Sequence, residues 1–224
     1  MNHFLYFCSI MCDNIALHDD GEKGKDSYLW ERFRKGDDKA FYSLYDLFFD
    51  SLYSYGLHFT RDKDLVKDCI HDLFLDLYKY RERLSETDNI HFYLFRSLRR
   101  LIYKDQVKKV SLLSDEQILL QNDISVMTFE DDLIASEIED ENHKILTEVM
   151  KELSDRQREG LSLKFEQNFS YREIAGILGI SVESARTSIY RALKELRKAL
   201  QKKGISIQLF FLYYQKERYK TIEN

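Results

Sequence analysis

Three groups of side chains have types and spacings that suit chemistry. Asp64, Asp68, His71 and Asp72 recur at helical intervals, so their carboxylates and imidazole share one helix face, where such groups either collect a divalent metal or present an acidic docking surface. Four ligands strung over about two helical turns lie farther apart than one ion reaches, and no second histidine-acid motif completes the set, so the docking face is the better reading. Phe92, Tyr93 and Phe95 interleave with Arg96, Arg99, Arg100 and Lys104, a mixture that joins base stacking to phosphate attraction in proteins that hold single strands. Arg186, Thr187, Tyr190 and Arg191 stand off an apolar stripe, where they meet base edges or phosphates; the plain alternative is a solvated basic face.

Helices must position all three groups. Proline is absent and glycines number only eight, so long stretches run without breakers and the expected fold is all-α. Asp37 caps a helix whose apolar stripe is Phe41, Leu44, Tyr45, Phe48, Leu52 and Tyr55. A second helix, from about Asp62 to Tyr80, turns Val66, Cys69, Ile70, Leu73, Phe74 and Leu77 inward and leaves the acidic face outward. A polar connection, Arg81 to Asn89, leads to a third helix with Leu94, Leu98, Leu101 and Ile102 inside and Arg96, Arg99, Arg100 and Lys104 projecting outward.

Farther on, Ser154 with Gln157 and Ser170 with Glu173 satisfy the capping-box pattern. Ile174, Ala175 and Leu178 face a core, Gly179 ends that helix, and Ser181 caps the next, which buries Ala185, Ile189, Leu193, Leu196 and Leu200. Helix, glycine-containing turn and helix from Ser170 to Leu200 form the helix-turn-helix arrangement that lays its second helix in a DNA major groove.

The expected organisation is a loose lead-in over 1–25, a helical domain over 26–110, an acidic linker over 111–141, a second helical domain over 142–203 and an apolar tail over 204–224. Net charge is −5, which by itself argues against a nucleic-acid partner, but the acidity is concentrated: 111–141 holds ten Asp or Glu and no Lys or Arg, whereas 96–109 and 186–203 are basic. Cys8, Cys12 and Cys69 make an odd count without finger-like histidine spacing, which supports neither a disulfide framework nor a zinc site, and no cofactor is expected. The apolar start, Phe4 to Ile10, lacks a basic flank and a cleavage site, and no segment is long enough to span a bilayer, so no membrane insertion is expected and the cytoplasm is the expected address.

The stretch LSDRQREGLSLKFEQNFSYREIAGILGISVESARTSIYRALKELRKAL resembles the fourth region of extracytoplasmic-function (ECF) sigma factors of the sigma-70 family, and DCIHDLFLDLYKYRERL, from Asp68 to Leu84, resembles their second region. The resemblance implies a non-enzymatic factor that binds core RNA polymerase and promoter DNA. It implies that Arg186, Thr187, Tyr190 and Arg191 read the minus-thirty-five element. It further implies that Asn89, Arg96, Arg99, Arg100 and Lys104 serve the minus-ten element, and that Asp68, His71, Asp72 and Phe74 dock on the clamp coiled coil of the largest polymerase subunit. His71 stands where the family usually has glutamine, and adds protonation near its reference pKa of about 6.5. An anti-sigma partner is implied too.

The acidic linker reads equally as a chain threaded through basic polymerase channels and as a solubilising tether. The tail, with Leu209, Phe210, Phe211 and Leu212, is open between docking on the second domain, binding a partner and shielding the basic helix. The rival functions are a stand-alone helix-turn-helix regulator, a metal-dependent hydrolase built on the Asp and His cluster, and a polymerase adaptor without DNA recognition. No glycine-rich phosphate loop or nucleophile elbow supports the hydrolase.

Overall fold

The computed structural model describes residues 20–60, 62–87, 89–111, 145 and 148–207. The expected acidic linker, 111–141, lies outside the described residues except for Ser111, as do 142–144, the tail beyond 207 and 1–19. Among the described residues the regular structure is helical: α1 (Asp20–Arg34), α2 (Asp38–Gly56), α3 (Lys63–Tyr80), a 3-10 turn (Arg81–Arg83), α4 (Ile90–Ser111), α5 (Asp155–Phe165), α6 (Tyr171–Leu178) and α7 (Val182–Lys202). Helix α1 starts at Asp20, inside the segment expected to be a loose lead-in.

Local chemistry sets most of these boundaries. Asp37 holds extended backbone and its carboxylate accepts from the Lys39 and Ala40 amides, so two otherwise orphaned donors of α2 are satisfied. Asp62 does the same for α3 through the Leu65 amide. Both capping boxes form: Ser154 and Gln157 open α5, and Ser170 and Glu173 open α6.

Two cores result. Helices α1 to α4 enclose Phe33, Leu52, Tyr55, Val66, Ile70, Phe95, Leu98 and Ile102. Helices α5 to α7 enclose Leu163, Ile174, Ala185, Ile189, Ala192 and Leu196, with Val149, Met150 and Leu153 from the approach to α5 closing one side. Arg158 anchors that approach, donating to the carbonyls of Met150 at 3.1 Å and Leu153, and pairing with Asp155. The two groups of helices pack against each other along α4 and α6. Phe169, buried in the turn between α5 and α6, sits on the rings of His91 and Phe95, with centroids 4.5 Å and 5.3 Å away.

Candidate nucleic-acid interface

The turn between α6 and α7 depends on Gly179. Its φ of +67° lies in the left-handed region, where a side chain is strained, and it lets the Ile180 amide return 3.0 Å to the Ala175 carbonyl. Ser181 then caps α7 through the Ser184 amide. With Ala185, Ile189, Ala192 and Leu193 turned into the core, Arg186, Tyr190 and Arg191 are exposed and Thr187 is half-buried beside them. Arg191 and Thr187 also line a groove of about 490 Å³ that reaches Arg156 and Gln157 at the start of α5. The four predicted residues thus share one accessible face. Sequence reasoning missed two neighbours: the Tyr171 ring carries Lys164 at 5.2 Å and Arg186 at 5.4 Å, so cations from α5 and α7 flank an aromatic at the start of α6.

On α3, Asp68, His71 and Asp72 are exposed, joined by Leu75 at 51% exposure. Phe74 is not part of that surface. It is 2% exposed and packs edge-on against Tyr45 and Phe41, because it belongs to the helix's apolar stripe, so it supports the acidic face from beneath. Among the described residues no three His, Cys, Asp or Glu side chains converge as metal ligands.

On α4, Arg96, Arg100 and Lys104 are exposed, and the Arg96 guanidinium lies 5.9 Å from the Phe92 ring centre. Of the three aromatics there, Phe95 is core, Phe92 is half-buried and Tyr93 is exposed, which leaves Tyr93 as the most accessible stacking surface. Asn89 accepts from the Phe92 amide at 2.9 Å and donates its own amide to Glu173 of α6. Arg99 departs from the outward position its spacing suggests: its Nε donates to Glu159 Oε1 of α5 at 2.7 Å and its guanidinium covers the Tyr103 ring at 4.6 Å.

Residues 143–196, which include the helix-turn-helix, match the family model described as Sigma-70, region 4. The chain is 25% identical over 163 residues to the ECF RNA polymerase sigma factor SigM of Bacillus subtilis, covering 73% of this chain and 96% of that relative. It is 24% identical over 159 residues to RNA polymerase sigma factor SigZ of the same organism, covering 70% and 85%. The chain is thus similar to ECF RNA polymerase sigma factors, with the matched family model falling on its helix-turn-helix segment. The fold agrees. The sigma factor RpoE, solved with the anti-sigma factor NepR from Bartonella quintana, superposes with a TM-score of 0.55 at 19% identity, covering 73% of this chain and 98% of that one. CnrH, solved with the cytosolic domain of CnrY, gives 0.52 at 18% identity, covering 79% and 97%.

Beside the ring packing of Phe169 on His91 and Phe95, the two helical groups meet through ionisable side chains. Glu159, 4% exposed, accepts from the Tyr55 hydroxyl at 2.8 Å as well as from Arg99. Burial, reinforced by that carboxylate, holds the Tyr55 phenol well above its ordinary value, so it remains a donor. His58 Nδ1 donates to the Ser54 carbonyl at 2.9 Å, and its Nε2 lies 3.7 Å from Glu166, an ion-pair distance too long for a hydrogen bond. Burial pushes His58 down, but the Glu166 carboxylate, the Ser54 carbonyl and Glu159 outweigh it and raise it above its ordinary value.

Proposed function

We propose that this sigma factor binds core RNA polymerase through the exposed Asp68, His71 and Asp72 of α3 and grips two promoter elements. The α7 residues Arg186, Thr187, Tyr190 and Arg191 read the minus-thirty-five duplex, and Asn89, Arg96, Arg99, Arg100 and Lys104 with Tyr93 hold the minus-ten strand. The observation that carries this reading is the accessible face of α7 within the segment that matches Sigma-70, region 4.

Sigma factors are not enzymes, and the relatives' role makes the stand-alone regulator the less favoured reading. Each helical group is a domain of modest DNA affinity, and polymerase supplies the rest by holding both at high effective concentration, which is how a chain of net charge −5 works on DNA. Among the described residues no helix is long and apolar enough to cross a membrane, and we place the chain in the cytoplasm, where transcription occurs. The complexes of RpoE with NepR and of CnrH with CnrY support an anti-sigma partner for this chain as well.

In vitro transcription from a genomic promoter library with core polymerase tests the reading. Specific starts are expected with the native chain and are lost with Arg186→Ala plus Arg191→Ala. Starts that persist in the double variant would reduce the chain to a polymerase adaptor, and absence of core binding would overturn the proposal.

A further inference from the structure

We propose that Trp30 is a positioning residue for the minus-ten surface, holding the stacking ring of Tyr93 and the connection that leads into α4 in fixed places. The inference rests on the minus-ten role given to α4 above. Trp30 is the only tryptophan of the chain and is 3% exposed in α1. Any apolar side chain of similar size would fill this corner of the core. The indole adds one donor, and that donor points out of the core: Nε1 donates to the Ser85 carbonyl at 3.2 Å, in the stretch between the 3-10 turn and α4. The same ring lies 5.8 Å, centroid to centroid, from that of Tyr93, the accessible aromatic of α4.

Leu84 to Thr87 carry no regular structure, so their place depends on contacts from other elements. Helix α1 supplies such contacts from one face: Arg34, one turn beyond Trp30, brings Nη1 to 3.5 Å from Glu86. Glu86 is exposed, so that pair is screened and the indole bond is the firmer hold. What the hold sets is the rim of a cavity of about 590 Å³ between α3 and α4, whose lining includes Tyr80, Leu84, Tyr93, Arg100 and Lys104. Aromatic faces with cations suit a single strand whose bases stack and whose phosphates pair. Leu84 adjoins Ser85 and Tyr93 backs on Trp30, so one side chain fixes two walls of that cavity. Displacing either wall changes which bases fit, while the cations and their general attraction for phosphate stay in place.

Holoenzymes of core polymerase with the native chain, Trp30→Phe or Trp30→Leu are compared on a promoter recovered from the genomic library and on the same promoter with its minus-ten element substituted. Permanganate reactivity reads the open complexes. Phe keeps an aromatic ring in the core and deletes the donor; Leu removes the ring behind Tyr93 as well. Trp30→Phe is expected to melt near the native temperature and to bind core polymerase as the native chain does, with its preference for the unaltered element falling about tenfold. Trp30→Leu should lose more of that preference. A merely structural role would lower the melting temperature and depress both promoters alike, leaving their ratio unchanged.

The sole tryptophan supplies a readout that needs no variant. A single-stranded oligonucleotide of the minus-ten sequence, its binding to the free native chain followed by anisotropy, is expected to change Trp30 emission as Tyr93 takes up a base. Bound oligonucleotide with unchanged emission, or an unchanged preference in Trp30→Phe, would overturn the positioning role. If the native holoenzyme itself forms no open complex, the minus-ten reading fails first, and the inference with it.

Discussion

A single buried guanidinium shows how residue chemistry holds the second helical group together. Arg158 is 8% exposed and satisfies the carbonyls of Met150 and Leu153 where the chain turns into α5. Arg158→Met keeps the apolar stem but leaves those carbonyls without this donor, and should cost about 2–3 kcal/mol, read as a lower urea midpoint. His58 acts at the same scale across the junction. Its pKa is raised in the folded chain above 6.5, so its contribution is fully present below that value and fades as pH climbs through the higher folded value. Stability against urea should therefore fall from about pH 6 toward pH 9 more steeply in the native chain than in His58→Gln. Equal slopes would mean that the Glu166 contact contributes nothing to folding.

At the scale of elements, the turn from α6 to α7 decides where the recognition helix points. Gly179 has no atom within 4 Å of an added Cβ, so a substitution there meets strain in the backbone and not crowding. Gly179→Val should cost about 1–2 kcal/mol, from the left-handed conformation and a β-branched side chain. The melting temperature is expected to drop, and specific starts to weaken, because α7 loses its fixed angle to α6. A Val variant that melts like the native chain would show that the turn relaxes without effect. Helix α3 divides its labour by period: Phe74 and Leu77 hold the core while Asp68, His71 and Asp72 stay in solvent.

For the molecule as a whole, the two helical groups meet at a seam that mixes ion pairing with ring packing: Glu159 with Arg99 and Tyr55, and Phe169 on His91 and Phe95. Apolar burial fixes each helical group, and buried rings together with ion pairs, whose worth depends on what else is available to each charge, fix their relation.

Helix positions, capping and the exposed face of α7 were legible in the sequence because they depend on neighbours within a few residues. Ser154, Ser170 and Asp37 cap amides two or three positions on, and a 3.6-residue period separates Ile189 and Leu193 from Arg186 and Tyr190. Phe74 shows the limit even within one helix, since its stripe membership and its place in a surface motif conflict and burial decides. Contacts between distant segments were not legible. Nothing local pairs Arg99 with Glu159 sixty positions away, Lys164 with Tyr171 and Arg186 around one ring, or Phe92 with the space above Gly176. A long cationic side chain on a helix surface reaches either solvent or a neighbour, and only the packing of α4 against α6, which brings Glu159 of α5 within reach of Arg99, selected the neighbour.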